Sequence, residues 1–553
     1  MSAIPEASAA AARPGARHAL ALAGVLLLAL ALLVPYRGYL TDDTFIHLQF
    51  AKHIVQGRGF AFNAGEPTYG VTSPLWVGLL AAAGALAPAR VSAPRDPEAM
   101  PWLASVAKLY GAAFTLLAVL LLVLLSRRLG WDRGTSLALG ALLALHAWSA
   151  RWAVSGMETP LAVACVVGAL LLLARVLLEG RGAFPAGVVL GIGALARPEL
   201  QLFALLAIGA LAWGGPGGRA GRVLGAAAGW ALVVIPWETA AFAMFHRLLP
   251  NTAAAKAGAW LQMTQALAAL RTCLHIILAT DALPVTLFVL VVAVGSPKTA
   301  LPPAPGRRAF WLLAAIWPAA LVLALTAAGT QVVSRYLLPT VPCLLLLGVA
   351  SLRWLIARNA PGRGGAALAA LLALYAGQNL YVTLRVAAPS AAEHTRGLRA
   401  SLVAIGIWAR DATPGDAAFA VADIGAFGYY SERRVLDLFG LVTPAMAPLV
   451  VREGYDAVVR DLRFEVAGRP RYLIDRAVEE NRLARPGGEP GPYRFLFARS
   501  IGNLGITRPA RYAYSVYEID WRVYDAIGAR TAARGSKDRI DAAQGLAYNE
   551  GKG

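Results

Sequence analysis

Long apolar runs recur along the first 385 residues of this chain and place the strongest constraint on its fold. A helix needs about 20 mostly apolar residues to cross the roughly 30 Å of hydrocarbon in a bilayer. Only helices and closed barrels satisfy their backbone hydrogen bonds in lipid, and runs of this length favour helices. We predict eleven spans, at 18–35, 102–125, 134–149, 160–178, 183–195, 199–213, 222–241, 281–295, 309–327, 335–353 and 364–385.

The composition supports an integral membrane protein. Hydrophobic residues make up 58% of the 553 residues, and the mean hydropathy is +0.57. Ordinary globular chains contain roughly 45–50% apolar residues. Only 15% of the residues are charged. These values exclude a soluble enzyme, a disordered chain and a coiled coil.

The positive charge belongs to the hydrophobic part of the chain. The formal net charge is +19; residues 1–385 carry 28 Lys and Arg against 12 Asp and Glu, whereas residues 386–553 carry 23 against 20. Basic residues in short loops and at helix ends keep those loops on the cytoplasmic side. Because no basic patch is interleaved with aromatic residues, we exclude nucleic acid as a partner.

The positions of the arginines distinguish two possible topologies. If 74–88 crossed the membrane, the loop arginines of 127–133 would lie on the same side as Asp42 and Asp43. If 74–88 and 262–278 are interfacial helices, these arginines lie on the opposite side, together with the other loop arginines. The second arrangement obeys the positive-inside rule and predicts a cytoplasmic N-terminus. The arginines on that face are Arg13, Arg17, Arg127, Arg128, Arg133, Arg175, Arg181, Arg219, Arg222, Arg307, Arg308, Arg353 and Arg358.

Near residue 390 the sequence changes to that of a water-soluble α/β domain. Residues 418–423 read as a short buried strand before a Gly-rich turn, and residues 512–524 alternate like another strand. The predicted fold is a polytopic α-helical membrane protein with about eleven transmembrane helices and a C-terminal extracytoplasmic α/β domain. The predicted parts are a membrane domain at 1–388, with a first outer loop at 36–101, and the α/β domain at 389–553.

The cysteines and histidines predict no metal centre. Cys165, Cys273 and Cys343 lie in apolar runs without metal-ligand spacing, so we expect buried thiols and no disulfide framework. His47 and His53 lack a third ligand at metal spacing. The sequence predicts no metal-ligand set, although its carboxylates leave a divalent cation open as a cofactor.

Acidic residues are sparse in the membrane part, and ionisable groups at membrane depth tend to mark functional sites. Asp42 and Asp43 follow the first span directly. One interpretation is that Thr41-Asp42-Asp43 caps the amphipathic stretch 44–56. The other is a general base, because adjacent carboxylates resist joint ionisation and the pKa of one of them rises. The spacing does not say which of the two would act.

The first outer loop resembles that of a known family. The matching segments are Thr41-Asp42-Asp43-Thr44-Phe45-Ile46, Gly57-Arg58-Gly59-Phe60, Phe62-Asn63-Ala64-Gly65-Glu66 and Thr72-Ser73-Pro74-Leu75-Trp76. Together they resemble GT-C glycosyltransferases, and most of all the branch that contains the terminal arabinofuranosyltransferases of actinobacterial cell walls. The chain departs from that branch at Tyr69, where a Glu is usual, and at Val71, where a Tyr is usual.

Later segments resemble the same family in the same order. They are Ser155-Gly156-Met157-Glu158-Thr159, Ala196-Arg197-Pro198-Glu199, Leu249-Pro250-Asn251-Thr252 with Lys256, Ser334-Arg335-Tyr336-Leu337-Leu338-Pro339, and Asp423-Ile424-Gly425-Ala426 with Asp437-Leu438. For two of these segments the charged residues could also have a purely structural role. Glu158 could pair with Arg151, and Arg197 with Glu199 could form an ion pair that closes a helical hairpin.

The resemblance implies a membrane glycosyltransferase of the bacterial cytoplasmic (inner) membrane, with its active site outside. The donor would be a polyprenyl-phosphate-linked sugar, arabinofuranose among the candidates, and the acceptor a cell-envelope glycan, lipid or protein. The expected reaction is a single displacement with inversion. Asp42 and Asp43 are the predicted catalytic pair, with Asp42 as the general base. The predicted substrate-binding residues are Glu66, Glu158, Arg197, Glu199, Asn251, Lys256, Arg335 and Tyr336.

Two functions from other classes compete with this one. Many spans with intramembrane charges also suit a transporter or a lipid-linked-sugar flippase. The long first loop, the lack of repeated halves and the large outer domain argue against transport. The third function is a non-catalytic glycan-binding scaffold, in which the acidic residues would be structural only.

The topology makes a direct prediction. Reporter fusions placed after Arg133 and after Ser390 should report opposite sides of the membrane, with the first cytoplasmic, because the loop arginines set the orientation. An activity reporter that works only outside the cytoplasm provides the measurement. Finding both fusions on one side would overturn the topology.

Overall fold

The computed structural model of the chain describes residues 14–251, 263–295, 304–484 and 491–527. Helices build the part that precedes residue 383. They are α1 (Pro14–Leu33), α2 (Asp42–Val55), α3 (Pro74–Ala85), α4 (Trp102–Arg128), α5 (Arg133–Leu145), α6 (Ala147–Ala153), α7 (Thr159–Glu179), α8 (Ala183–Ala196), α9 (Glu199–Trp213), α10 (Arg219–Phe245), α11 (Met263–Val294), α12 (Pro305–Ala327), α13 (Val341–Asn359) and α14 (Gly364–Val382). The short turns Ser334–Leu337 and Leu338–Thr340 lead into α13.

The helices agree with a polytopic membrane protein. Within the described residues, eight segments are long and apolar enough to cross a membrane. The other three predicted spans, at 134–149, 183–195 and 199–213, correspond to the shorter apolar helices α5, α8 and α9. The stretch expected to be interfacial at 74–88 contains α3, whose 12 residues are too few to cross a bilayer.

One predicted boundary coincides with a kink. An interfacial helix was expected at 262–278 before a span at 281–295, and α11 consists of two helical stretches joined across a kink at Asp281 (φ −121°, ψ 21°). Pro284 follows within the helix, and proline removes a backbone hydrogen bond and so kinks a helix without always ending it. The Asp281 carboxylate is buried and lies 3.0 Å from His146 Nε2.

Ion pairs show which helix ends meet. Arg128 pairs with Glu179, and Arg353 Nη1 lies 3.0 Å from an Asp132 oxygen. These contacts gather the ends of α4, α7 and α13 and the start of α5 at one end of the bundle. They belong to the loops whose arginines predict the cytoplasmic face. The predicted catalytic pair lies at the opposite end of the helices.

Glycines allow α8 and α10 to pack closely. A Cβ added to Gly187 would lie 2.0 Å from the Ala226 carbonyl oxygen, and one added to Gly229 would lie 2.1 Å from that of Phe184. Lipid gives helices little hydrophobic reason to associate, so small residues that admit close backbone packing hold them together.

The C-terminal unit begins inside a continuous helical segment. After α14 the chain continues through π-helical turns at Thr383–Ala387 and Arg399–Val403, which flank α15 (Ala388–Leu398) and precede α16 (Ala404–Ala412). The boundary predicted between 388 and 389 therefore falls within helix. The remaining elements are β1 (Ala418–Val421), α17 (Ile424–Ser431), β2 (Arg434–Asp437), α18 (Met446–Glu453), α19 (Tyr455–Arg460), β3 (Tyr472–Ala477), β4 (Tyr493–Ile501) and β5 (Tyr512–Ile519).

The five strands form one mixed sheet in the order β2-β1-β3-β5-β4. β1 pairs in parallel with β2 and β3, and β5 pairs antiparallel with β3 and β4. β1 and β5 lie within the stretches predicted as strands. The parallel arrangement places the loop after β1, which leads into α17, at the edge of the sheet nearest the first outer loop.

The first outer loop docks against this unit. α2 packs on α17, and Lys52 Nζ donates to the Tyr429 carbonyl (3.2 Å) while lying 4.7 Å from the centre of its ring. The Asn63 side chain exchanges two hydrogen bonds of 2.9 Å with the backbone of Val435 in β2. These contacts fix the start of α2 against the start of α17.

Candidate active site

Asp42 does not cap its own helix. Thr41 is the N-cap of α2: its side chain accepts a hydrogen bond from the Thr44 amide (3.3 Å) in a reciprocal capping box. The cap expected within Thr41-Asp42-Asp43 is therefore confirmed at Thr41, whereas the Asp42 side chain does not provide it. Its two oxygens instead accept hydrogen bonds from the amides of Ala426 (2.7 Å) and Gly425 (2.9 Å) in the first turn of α17. A carboxylate is favoured there, because a helix N-terminus has free N–H groups and a positive dipole end.

Gly425 is the residue that allows this contact. A Cβ at this position would lie 1.9 Å from the Asp42 carbonyl oxygen and 2.9 Å from its Oδ2. Any larger residue would push the first loop away from α17. The Gly-rich turn expected at this position is thus a point of close backbone approach.

A second carboxylate lies beside Asp42. Asp423 accepts two hydrogen bonds from Arg476 (2.6 and 2.9 Å) and one from the Tyr514 hydroxyl (2.6 Å). Burial raises the pKa of Asp42 to about 7, helped by the charges of Asp423 and Asp43 and opposed by the amides of Ala426 and Gly425. A carboxyl group that titrates near neutrality is suited to accept a proton during a reaction.

Asp43 points to a different partner. Its Oδ2 accepts a hydrogen bond of 2.5 Å from Arg335 Nη2. The Arg335 guanidinium also lies 5.4 Å from the centre of the Trp152 ring and 5.3 Å from that of Tyr336. The two adjacent aspartates therefore have different partners, since backbone amides hold the first and an arginine holds the second.

Arg197 joins two glutamates. Its Nη1 lies 2.6 Å from Glu158 Oε1, and its Nε lies 2.5 Å from Glu199 Oε1. The expected ion pair between Arg197 and Glu199 therefore forms, whereas the suggested pairing of Glu158 with Arg151 is wrong. Burial acts to raise the pKa of Glu158, but the charges of Arg197, His47 and Arg335 outweigh it and hold that pKa below its usual value.

These groups surround two cavities that share a wall. The larger cavity, of about 540 Å³, contains the Glu158–Arg197–Glu199 cluster. The smaller cavity, of about 220 Å³, lies beside Trp148 and Trp152. The residues that line both cavities are Asp42, Asp43, Arg335, Tyr336, Asp423 and Arg508. The predicted catalytic pair therefore lies at the boundary between two compartments.

The structure does not bring all predicted site residues together. Glu66 lies outside both cavities and pairs with Arg434 (2.7 Å). Asn251 is also outside them; its side chain donates to the Leu441 carbonyl (2.9 Å) and so ties the end of α10 to the C-terminal unit. Lys256 lies outside the described residues.

Several residues that line the cavities carried no predicted role. His47 follows Asp43 by one helical turn and lines the larger cavity, where burial lowers the pKa of its imidazole. Asp423 stood in a motif that resembles the family, but without a role. Arg476, Arg508 and Tyr514 come from β3, from the loop before β5 and from β5 itself. Their approach to Asp42 depends on the sheet, and no local sequence pattern signals it.

The carboxylates as arranged do not fit a metal ion. Over residues 14–251, 263–295, 304–484 and 491–527, no group of three or more His, Cys, Asp or Glu side chains is placed to hold one. Asp42 is held by amides, and Asp43, Glu158 and Asp423 by arginines. We derive no chemical step through a metal.

A family model matches the C-terminal part of the chain. Residues 389–531 match a family model described as a domain of unknown function, DUF8728. No curated protein sequence matches the chain. The C-terminal unit is thus similar to a family whose description carries no activity.

Solved structures share the fold. The oligosaccharyltransferase of Archaeoglobus fulgidus in complex with Zn and sulfate aligns with a TM-score of 0.56 at 14% identity, over 82% of this chain and 67% of that chain. The same organism's AglB with an inhibitory peptide and a dolichol-phosphate gives 0.51 at 13%, over 83% and 69%. ArnT from Cupriavidus metallidurans bound to undecaprenyl phosphate gives 0.51 at 13%, over 91% and 98%. The chain shares its overall fold with these structures.

The close approach at Gly425 can be tested. Gly425→Ala should lower the melting temperature of the purified protein by several degrees, because overpacking typically costs about 1–3 kcal/mol. Differential scanning fluorimetry in detergent measures it. Gly415→Ala is the matched control, since a Cβ there meets no atom within 4 Å. Equal melting temperatures for the two variants would contradict the described contact.

Proposed function

We propose that this protein is a membrane glycosyltransferase that moves a sugar from a polyprenyl-phosphate donor to a cell-envelope acceptor on the extracytoplasmic face. The observation that carries the proposal is the carboxylate pair Asp42 and Asp43 at the boundary of two cavities, faced by arginines, at one end of a GT-C helix bundle. Two of the similar structures were solved with a lipid phosphate, one with undecaprenyl phosphate and one with dolichol-phosphate. The arabinofuranose identity of the sugar stays a prediction of the sequence resemblance.

Asp42 is the proposed general base. The acceptor hydroxyl must lose its proton as it attacks the anomeric carbon, and a carboxylate within hydrogen-bond reach can take it. The Gly425 and Ala426 amides hold the Asp42 carboxylate in one orientation. Asp43 supports the site by orienting Arg335, and Glu158 with Glu199 fixes Arg197.

Arginines stabilise the leaving group in this proposal. Breaking the glycosidic bond leaves negative charge on the phosphate, and preorganised cations lower the energy of that transition state. Arg335 lines both cavities and is oriented by the Asp43 carboxylate, so it is the first candidate. Arg197 lies behind it with its charge balanced by two glutamates. Lys256 keeps its predicted phosphate-binding role from the resemblance alone.

An assay of the transfer reaction tests the proposed function. Purified full-length protein is incubated with a panel of polyprenyl-phosphoryl sugars and with acceptor glycans, and free polyprenyl phosphate is quantified. A transferase releases free polyprenyl phosphate and elongates an acceptor, whereas a flippase or a glycan-binding scaffold leaves the donor intact. Reconstituted vesicles that move the labelled donor without cleaving it would replace this proposal with transport.

Matched substitutions separate the two aspartates. Asp42→Asn should lower turnover by roughly 10²–10⁴-fold, the usual share of general base catalysis. It should stay folded, because Thr41 caps α2 and the amide oxygen of the substituted side chain can still accept a hydrogen bond from α17. Asp43→Asn should cost less, since it disturbs the orientation of Arg335 only. Steady-state rates and melting temperatures are measured together. An active Asp42→Asn beside a folded but inactive Asp43→Asn would assign the base to Asp43.

The pH dependence offers a second test. Because burial raises the pKa of Asp42 to about 7, kcat/KM should fall as the pH drops through that value, where the base becomes protonated. Asp423→Asn removes a neighbouring negative charge and should shift this acidic limb to lower pH. Glu66→Gln, outside both cavities, should leave the limb in place. A limb that Asp423→Asn leaves unmoved would show that Asp42 does not set it.

A further inference from the structure

Arg151, at the outer end of α6, is a buried cation that the proposed mechanism does not use. The residue is only 2% exposed. Its Nη2 donates to the Tyr39 hydroxyl (3.0 Å), and its guanidinium lies 4.8 Å from the centre of the Tyr39 ring. Its Nε is buried with no hydrogen-bond partner among the described residues.

The other buried cations nearby are balanced in different ways. Arg197 has two glutamates, and Arg335 has Asp43. The Lys108 ammonium donates to the carbonyls of Tyr39 and Val154. In the part of the chain that the structure describes, Arg151 has no carboxylate partner. Burying a charge without a counterion is costly, and a cation–π contact recovers only part of that cost. The arrangement of Arg151 therefore favours an anion that binds from outside the chain.

Arg151 lines the smaller cavity, which has space for such an anion. The wall of this cavity also includes Trp148, Trp152 and the α11 residue Ile276. α11 turns Leu274 and Leu278 outward, with about half of each side chain exposed, which is the expected pattern for a helix against lipid. Tryptophans collect where the hydrocarbon meets the lipid headgroups. The cavity thus combines a cation, an apolar wall and a neighbouring lipid-facing helix.

We propose that Arg151 binds a phosphate group in the smaller cavity, and that in the proposed reaction this is the phosphate of the polyprenyl donor. The planar guanidinium can make two parallel hydrogen bonds to phosphate oxygens. This inference rests on the proposed function for the identity of the lipid, but the phosphate site itself follows from the burial of Arg151.

A phosphate bound at Arg151 also determines which cavity each substrate occupies. A displacement with inversion needs the acceptor and the leaving phosphate on opposite sides of the anomeric carbon. Asp42 lies in the wall between the two cavities. A phosphate at Arg151 therefore puts the donor in the smaller cavity, the sugar at the shared wall and the acceptor in the larger cavity.

Binding measurements on the full chain in detergent test this site. Undecaprenyl phosphate is titrated against wild type, Arg151→Met and Arg399→Met, with binding followed by intrinsic tryptophan fluorescence. Loss of a charge-assisted contact should weaken binding by roughly 10- to 150-fold in Arg151→Met. Arg399→Met removes the same charge from a residue paired with Glu98 outside both cavities, and its Kd should stay within about twofold of wild type.

Additional measurements identify the ligand and show whether the variant is folded. Undecaprenol, which lacks the phosphate, should bind wild type and Arg151→Met alike. Inorganic phosphate that raises the melting temperature of wild type but not of Arg151→Met, without an effect of the lipid, would assign the site to free phosphate. Ligand-free Arg151→Met should melt no lower than wild type, because an unpaired buried charge is removed. If it does not fold, Arg151→Gln, which can still donate to the Tyr39 hydroxyl, replaces it.

The outcomes separate this inference from the proposed function. An unchanged Kd for undecaprenyl phosphate in a folded Arg151 variant, in a protein that still releases polyprenyl phosphate from its donor, overturns the inference alone. A wild type that neither binds any phosphate probe nor cleaves any donor overturns both.

Discussion

The two hydrogen bonds that the Asp42 carboxylate accepts from Gly425 and Ala426 connect parts of the chain more than 380 residues apart. They place a carboxylate from the start of α2, in the first outer loop, on the first turn of a helix in the C-terminal unit. A helix N-terminus stabilises a negative charge, but burial and the carboxylate of Asp423 oppose it, so the pKa of Asp42 rises. The shared wall of the two cavities is built at this contact. Both the position of the proposed base and its protonation near neutral pH depend on it.

Charge balance organises the rest of the site. Asp43 with Arg335, Glu158 and Glu199 with Arg197, and Asp423 with Arg476 form pairs that neutralise one another at the end of an apolar bundle. Such pairs are expensive to bury but rigid once formed, which suits groups that must hold a substrate in one orientation. Arg151 is the exception among these arginines within the described residues, because an aromatic hydroxyl and two rings replace the carboxylate. We therefore regard it as the position where substrate charge enters the site.

The C-terminal unit takes part in the site as well as covering it. Asp423, Arg476, Arg508 and Tyr514 all face the cavities, and all lie within the segment that matches a domain of unknown function. In the fold shared with oligosaccharyltransferase and ArnT structures, this unit contacts the first loop through α17 and the edge of β2.

The sequence by itself determined the membrane class, because apolar runs near 20 residues leave few other folds. It also located helices at all eleven predicted spans and singled out Asp42, Asp43, Glu158, Arg197, Arg335 and Tyr336, which the structure gathers around the cavities. The tertiary structure alone decided the partners: the Asp42 carboxylate accepts hydrogen bonds from the amides of α17, and Glu158 pairs with Arg197 instead of Arg151. Periodicity and local motifs report on neighbours within a few residues. Ion pairs, and hydrogen bonds from one helix to a carboxylate elsewhere in the chain, join residues tens to hundreds of positions apart. Only the packing of helices and sheet brings such residues within hydrogen-bond distance.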